Sequence, residues 1–351
     1  MDLKSSEPFW LVKNGLINSY PSLKNDIDAD VLIIGSGITG SLIAHQCVKD
    51  GYSTVVLDKR EVANGSTSAT TSMLQYEIDV PLYKLIELIG KEGAVKSYKA
   101  CFDSIGQLKK IVKEIKSDCG FEEKQSLYYA ARKKDVNWLK KEFKAREEND
   151  FPVKWLEAQE IEEKFKFLHT YGGILSNKGG SIDAFKLAHD LLSYNVKKGL
   201  KIFDKTKTDN IQYKSDSVII TTDSGNKIKC KKIIFCNGFE STEILKEDFV
   251  KLLSTYAIVS EVFEKDISFL DKILLWNTAD PYIYLRTTCD NRILIGGEDE
   301  DFINEEKRER LLSKKAEKLK KYITKILPDY EFRTDFAWAG RLEKPKMVYR
   351  T

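Results

Sequence analysis

Three glycines near the amino-terminal end of the chain have the spacing of a phosphate-binding turn. Gly35, Gly37 and Gly40 follow a short apolar run and open a segment with helical spacing. In a strand–turn–helix unit the first glycine permits the tight turn, the second lets the backbone approach a pyrophosphate, and the third lets helix and strand pack closely. The helix N-terminus adds unpaired N–H groups and the positive end of its dipole. The sequence therefore predicts pyrophosphate binding here, with Ile38 and Thr39 in the same turn.

An acidic residue closes the second predicted strand of this unit. Asp58 follows the β-branched run Thr54–Leu57. A carboxylate at this position accepts hydrogen bonds from a ribose, whereas an arginine accommodates the 2′-phosphate of NADP. Asp58 therefore favours FAD or NAD. A purely structural glycine turn is the alternative, but the strand before the glycines, the helix after them and the acid together indicate a dinucleotide site.

Small hydroxyl residues are concentrated just after this unit. The segment after Lys59 and Arg60 includes NGSTSATTS, residues 64–72. Such a loop can be a plain flexible connection, but beside a dinucleotide fold it can supply hydroxyl and N–H donors to phosphates. The repeated Ser and Thr also indicate a second helix N-terminus directed at the cofactor. The candidate donors are Ser66, Thr67, Ser68, Thr71 and Ser72.

Composition argues against several functional classes. The 351 residues include 57 Lys and Arg and 54 Asp and Glu, a net charge of +3. Lys and Glu are interspersed on predicted helices, which is typical of a solvated surface and not of a nucleic-acid-binding face. No apolar run is long enough to span a bilayer and no signal peptide is evident, so we expect a soluble cytoplasmic protein without an integral membrane segment. The six cysteines form no CxxC pair and the three histidines lack metal-ligand spacing, which predicts reduced thiols and no metal.

The predicted elements divide the chain into two discontinuous domains. Residues 1–29 are expected to form an irregular arm. A long amphipathic helix from Lys91 to Asp118 begins a block without dinucleotide features, and a β-meander between Ile211 and Cys230 leads to a buried strand that ends at Gly238. An NAD-dependent dehydrogenase would instead continue into further βα units. We expect an α/β fold with a Rossmann-like dinucleotide-binding domain formed by residues 1–75 and 170–250, and an α+β substrate or cap domain with a mixed sheet formed by residues 76–169 and 251–351.

In this order the motifs resemble those of the FAD-dependent amino-acid and amine oxidases of the D-amino-acid oxidase, glycine oxidase and sarcosine oxidase group. The matching segments are IIGSGITG, GSTSATTS, IIFCNG, YLR followed by ILIGGEDE, and FAWAG. The resemblance implies that one domain holds FAD through its ADP half and that the mixed sheet covers the isoalloxazine ring. Arg60 and the hydroxyl-rich loop would line the cofactor, with Lys59 beside them, Met73 reaching towards the flavin and Gly238 approaching from the last strand.

The same resemblance implies substrate-binding residues in the second domain. Arg286 lies where several members place an arginine that pairs with the substrate carboxylate, and a guanidinium matches a carboxylate with two parallel hydrogen bonds. Tyr284 lies two residues earlier, on the same sheet face. Tyr284 and Tyr76 are candidates to hydrogen-bond the substrate. The alternatives are an exposed arginine at a strand end and two packed aromatic residues.

The reaction implied by the resemblance is hydride removal from the carbon that bears an amine, with flavin N5 as acceptor and an imine that hydrolyses in water. The substrate would be an amino acid or small amine, and oxygen or a quinone would take the electrons. After FAWAG the relatives continue with a glycine-rich turn and a further helix, whereas this sequence reads RLEKPKMVYRT. A truncated, catalytically impaired flavin-binding protein is therefore the second hypothesis. An NAD-dependent dehydrogenase is the third.

Overall fold

A computed structural model describes residues 3–245 and 250–345, and two large β-sheets organise this part of the chain. The strands are β1 (Lys4–Ser5), β2 (Ile27–Ile34), β3 (Thr54–Leu57), β4 (Met73–Leu74), β5 (Glu122–Glu123), β6 (Gln125–Tyr129), β7 (Val153–Leu156), β8 (Gly173–Ser176), β9 (Gly180–Ser181), β10 (Lys201–Phe203), β11 (Thr208–Tyr213), β12 (Val218–Thr222), β13 (Lys227–Phe235), β14 (Val250–Ser260), β15 (Ile273–Asn277), β16 (Tyr284–Thr287), β17 (Ile293–Glu300) and β18 (Thr334–Pro345). The helices are α1 (Phe9–Asn14), α2 (Ile38–Lys49), α3 (Ser66–Ala69), α4 (Leu82–Ile89), α5 (Lys91–Ile115), α6 (Val136–Glu147), α7 (Ala158–Phe165), α8 (Ala184–Val196) and α9 (Glu305–Ile326).

The six-stranded sheet has the order β10-β3-β2-β13-β12-β11. Its first four strands are parallel, and β12 and β11 extend it in antiparallel fashion, which confirms the predicted meander. Parallel strands present their carboxyl ends at one edge of a sheet, which is where ligands bind in folds of this class. The residues that follow β2, β3, β10 and β13 therefore meet at one place.

Both faces of this sheet are buried, as expected for apolar parallel strands. Ile33 and Val56 pack on one face with Ala44 of α2 and Leu192 of α8. Leu32 and other alternate side chains pack on the opposite face with residues of the meander. The alternation follows the two-residue period of a strand.

The nine-stranded sheet, with the order β1-β18-β14-β17-β16-β15-β6-β8-β7, is mixed. One face carries Ile258 and Leu285 and packs against α9 through Leu319. The opposite face carries Ala257 and Trp338 and packs towards the first sheet and α2. This sheet therefore stands between α9 and the carboxyl edge of the six-stranded sheet. The architecture agrees with the predicted α/β fold with a second mixed sheet.

The amino-terminal segment differs from the predicted irregular arm. β1 pairs with β18, and α1 buries Phe9 and Trp10. Elements this short are stabilised by tertiary contacts and not by intrinsic propensity, so the sequence pattern does not reveal them. β8 lies in the range assigned to the dinucleotide-binding domain but pairs with β6 and β7 of the nine-stranded sheet. The division of the chain into two domains stays a prediction.

Among the described helices, none combines the length and the apolar character that a membrane crossing requires.

Candidate functional site

A cavity of about 930 Å³ begins at the carboxyl edge of the six-stranded sheet and continues to the nine-stranded sheet. Its volume is near the upper end of the usual range for ligand pockets, roughly 300–1,000 Å³. The lining includes most of the residues singled out from the sequence: Gly35, Gly37, Ile38, Thr39, Asp58, Lys59, Arg60, Ser66, Thr67, Thr71, Ser72, Met73, Gly238 and Tyr284. The fold thus brings residues from both predicted segments to one site.

The glycine turn has no room for side chains. A Cβ atom on Gly35, whose φ is +104°, would lie 2.4 Å from the carbonyl oxygen of Cys236. A Cβ on Gly40 would lie 1.9 Å from the carbonyl oxygen of Gly35, so the close contact between helix and strand needs glycine here. Gly40 is not part of the cavity lining. A Cβ on Gly37 would lie 2.9 Å from Thr67 Oγ1 and would fill the space at the start of α2. The close approaches at Gly35 and Gly40 agree with a tight turn and a close helix–strand contact, and the approach of Gly37 to a pyrophosphate stays a prediction.

The N-terminus of α2 meets the hydroxyl-rich loop directly. The Ile38 N–H donates to Thr67 Oγ1 at 3.0 Å, and the first turn of α2 carries no acidic residue. The Thr67 hydroxyl keeps its own hydrogen for donation, because it acts only as the acceptor in this bond. The arrangement offers N–H and O–H donors at the positive end of a twelve-residue helix, which suits a phosphate. Ser68 instead donates to the Gly65 carbonyl at 2.8 Å and lies outside the cavity lining.

Asp58, which directly follows β3, links the end of that strand to the glycine turn through hydrogen bonds. One carboxylate oxygen accepts from the Ser36 N–H at 2.8 Å and the Ser36 hydroxyl at 2.6 Å. The other accepts from the Arg60 N–H at 2.9 Å. An ionised carboxylate has about four acceptor sites, so Asp58 retains capacity for a ribose hydroxyl. The residue has a structural role in addition to the predicted cofactor contact.

Sequence reasoning missed a carboxylate that faces the two cations after β3. Glu240 accepts from Lys59 Nζ at 2.8 Å and from the Arg60 guanidinium at 2.7 and 3.1 Å. Burial opposes ionisation, but the hydrogen bonds from Arg60 and Lys59 prevail and hold the pKa of Glu240 below its usual value. The position of Glu240 just after β13, whose carboxyl end reaches the same sheet edge as that of β3, is the one signal that points to it.

Tyr284, at the end of the cavity next to the nine-stranded sheet, lies near the carboxyl group of Asp299. Burial, with Asp299 adding to the effect, raises the pKa of Tyr284 to about 12. Burial also raises the pKa of Asp299 to about 6, and Asp79 and Asp280 add to the effect while Thr255 and Lys315 oppose it. The backbone at Glu298, with φ +58°, is left-handed just before Asp299. Asp299 is therefore an ionisable carboxyl near the tyrosine that lines the cavity.

Arg286 and Tyr76 lie outside the cavity lining. Arg286 is buried, donates from Nη1 to the Ser72 carbonyl at 3.0 Å, and has its guanidinium carbon 5.1 Å from the Trp10 ring centre. Burial lowers the pKa of Arg286 to about 10. Tyr76 stacks on Phe151 with ring centres 5.4 Å apart, in a buried aromatic cluster. The structure brings neither side chain to the cavity.

The family model for FAD dependent oxidoreductases matches residues 30–347. A putative Rieske 2Fe-2S iron-sulfur protein, YhfW of Bacillus subtilis, is 28% identical over 236 residues, which are 67% of this chain and 45% of that protein. A putative sarcosine oxidase of Caenorhabditis elegans is 25% identical over 222 residues, 63% of this chain and 53% of that protein. The chain thus spans about half the length of these curated relatives. Glycine oxidase from Geobacillus kaustophilus has the same fold, with a TM-score of 0.74, 17% identity, and coverage of 91% of this chain and 84% of that chain.

Proposed function

Because the chain belongs to the FAD-dependent oxidoreductase family, we propose that it is an enzyme that oxidises the C–N bond of an amino acid or small amine. The substrate carbon that bears the amine would give up a hydride and the nitrogen a proton, and the imine product would hydrolyse in water. When bound, FAD supplies the hydride acceptor, flavin N5. An electron acceptor, oxygen or a quinone, would then restore the oxidised cofactor. Family membership sets aside the NAD-dependent dehydrogenase.

The described residues fit the ADP half of FAD. Gly37 leaves open the space in front of the α2 N-terminus, where the Thr67 hydroxyl has a hydrogen to donate. Asp58 retains acceptor capacity for the ribose beside the end of β3. Lys59 and Arg60 share the single carboxylate of Glu240, so these three residues of the cavity lining carry one net positive charge, which suits the phosphates of the cofactor. These residues would bind and orient the cofactor and would not take part in proton transfer.

The observation that carries the proposal is the continuity of the cavity. It begins at the glycine turn and ends at Tyr284 and Thr255 of the nine-stranded sheet. One elongated cofactor can therefore be anchored at the first sheet and present its other end to a substrate against the second. Asp299, whose carboxyl has a pKa of about 6, lies near this end. An ionised carboxyl there attracts a protonated amine. Amine chemistry also agrees with the name of the putative sarcosine oxidase among the relatives.

Reconstitution with FAD followed by anaerobic mixing with candidate substrates tests the proposal. We expect a yellow protein whose flavin absorbance is bleached by at least one amino acid or small amine. Bleaching by a hydroxyl substrate such as glycerol 3-phosphate, with no response to any amine, would contradict C–N oxidation. Bound FAD that no substrate in the panel bleaches would favour the impaired flavin-binding protein. Admission of air or of a quinone to the bleached sample identifies the electron acceptor.

We also propose a cytoplasmic location. All six cysteines are free thiols in the structure. Unpaired cysteines are typical of reducing compartments.

A further inference from the structure

The amino-terminal segment packs on the loop that faces the cofactor cavity, although the family match begins only at residue 30. β1 pairs with β18 at Gly340, and Lys4 Nζ donates to Ser68 Oγ at 3.3 Å. Leu3 itself lines the cavity. Trp10, in α1, is 1% exposed. This segment therefore contacts residues 65–72, here called the cofactor loop, at several points.

Three buried side chains donate hydrogen bonds to backbone carbonyls of the cofactor loop. Trp338 Nε1 donates to Ala69 O at 2.8 Å, Trp10 Nε1 to Thr70 O at 2.7 Å, and Arg286 Nη1 to Ser72 O at 3.0 Å. The donors come from β18, α1 and β16, three elements that are far apart in the sequence. Three carbonyls within four residues are thus bonded to side chains that belong to other parts of the fold.

Of the three donors, Arg286 is the one whose burial most destabilises the fold, because its side chain is charged. It is 3% exposed, and its Nε has no hydrogen-bond partner in the described structure. Within residues 3–245 and 250–345 no carboxylate lies at ion-pair distance from it, and its cation instead faces the Trp10 ring at 5.1 Å. Burying an uncompensated charge destabilises a fold. The carbonyl that Arg286 holds belongs to Ser72, whose φ of +56° is in the left-handed region. Strain of this kind persists only where the surroundings enforce it.

These bonds also set the electrostatic character of the cofactor loop. A carbonyl oxygen that faced the phosphates of FAD would repel them, whereas a carbonyl engaged by an N–H donor is neutralised in part. With three carbonyls engaged, the loop presents to the cavity the donors of Ser66, Thr67 and Thr71. The hydrogen bond from Ile38 to Thr67 depends on the same placement of the loop.

We propose that Trp10, Trp338 and Arg286 are positioning residues that hold the cofactor loop in the conformation that binds FAD. The amino-terminal segment is thereby a part of the cofactor site. Arg286 acts on the cofactor through Ser72 and does not bind the substrate carboxylate. The proposal depends on FAD as cofactor and is independent of the substrate.

Conservative variants of the full-length protein test this assignment. Trp10→Phe and Trp338→Phe keep an aromatic ring and remove only the N–H donor. Each should raise the Kd for FAD roughly 5- to 30-fold, the effect of one lost buried hydrogen bond. Trp155→Phe is the matched control, because Trp155 Nε1 donates to Glu157 at the surface at 2.8 Å. The control should leave the Kd unchanged. The Kd is measured by titrating the apoprotein and following quenching of flavin fluorescence.

The unfolding of the apoprotein in urea separates positioning from a merely structural role. If the two tryptophans position the cofactor loop, their variants should bind FAD with a raised Kd although the apoprotein unfolds at the same urea concentration as the wild type. The absorption band of the bound flavin should also shift in these variants. An unchanged Kd and unchanged band in both Trp→Phe variants would overturn the proposal, whatever their stability.

Arg286→Lys distinguishes the two roles considered for the arginine. Lys keeps the charge but loses the planar guanidinium, so we expect a raised Kd for FAD and equal effects on substrates with and without a carboxylate. A normal Kd for FAD, with a KM raised only for carboxylated substrates, would instead show a carboxylate-binding role and overturn the assignment of Arg286.

Discussion

At the scale of single residues, the protein buries ionisable groups that do not all have partners. His189 in α8 is 2% exposed, and neither ring nitrogen has a hydrogen-bond partner among the described residues. Burial lowers the pKa of His189 to about 4, although Asp190 opposes the effect. The folded protein therefore keeps a neutral imidazole, while the unfolded chain is protonated below about pH 6.5.

The stability of the protein should consequently fall in mild acid. Because the unfolded state binds the extra proton between pH 6.5 and 4, the free energy of unfolding decreases as the pH falls through this window and levels off below pH 4. Between pH 7 and pH 5, His189 should account for a loss of about 2 kcal/mol. His189→Leu should abolish this part of the pH dependence in urea unfolding experiments.

His169→Asn is the control for that measurement. His169 is exposed and has a φ of +58°, a conformation that asparagine tolerates. In this variant the free energy of unfolding should differ between pH 7 and pH 5 by as much as it does in the wild type. If His189→Leu lost as much free energy of unfolding between pH 7 and pH 5 as the wild type, the acid sensitivity could not be assigned to His189.

At the scale of elements, the site depends on how closely α2 approaches β2. Gly40 decides this approach, since a Cβ at that position would lie 1.9 Å from the carbonyl oxygen of Gly35. The obstacle is backbone, which cannot rotate away as a side chain can. The turn between β2 and α2 would have to open, and the N–H groups of the α2 N-terminus would move relative to the pyrophosphate position.

Gly40→Ala should therefore weaken FAD binding roughly 10- to 100-fold, the effect of losing one hydrogen bond to a charged phosphate. The matched control is Gly93→Ala in α5, where the added Cβ would lie 3.5 Å from Ile89. The control should bind FAD normally and gain roughly 0.5–1 kcal/mol of stability. Titration with FAD and urea unfolding measure the two effects, and wild-type affinity in Gly40→Ala would refute the close-approach argument.

At the scale of the whole molecule, the cavity joins two sheets that share one hydrophobic cluster where they face each other and have a further cluster each on their other faces. A ligand that binds only the folded state stabilises it by an amount that rises with the logarithm of the ratio of its concentration to its Kd, about 2.7 kcal/mol at 100 times the Kd. FAD should therefore raise the thermal midpoint of unfolding with increasing concentration. ADP lacks the flavin half, so it would contact only the six-stranded-sheet end of the cavity, and it should give a smaller shift at the same concentration. Equal shifts from ADP and FAD in a thermal unfolding assay would contradict a cofactor that extends to the nine-stranded sheet.

The glycine turn could be predicted from the sequence because its strand, turn, helix and closing acid are contiguous. The turn lies directly between β2 and α2, and Asp58 at the end of β3 accepts hydrogen bonds from Ser36 in that turn, all within one contiguous unit. The meander before β13 could also be predicted, since adjacent antiparallel strands have a local pattern. Family membership followed from the same motifs in order.

Only the tertiary structure decided which side chains reach the cavity. Tyr284 and Arg286 share one strand, yet Tyr284 lines the cavity while Arg286 turns to the Ser72 carbonyl and the Trp10 ring. Glu240 meets Arg60 although 180 positions separate them. A periodic pattern specifies the face of a strand but not what another part of the chain places against that face. Such contacts depend on the packing of distant elements, and sequence reasoning from local spacing has no access to them.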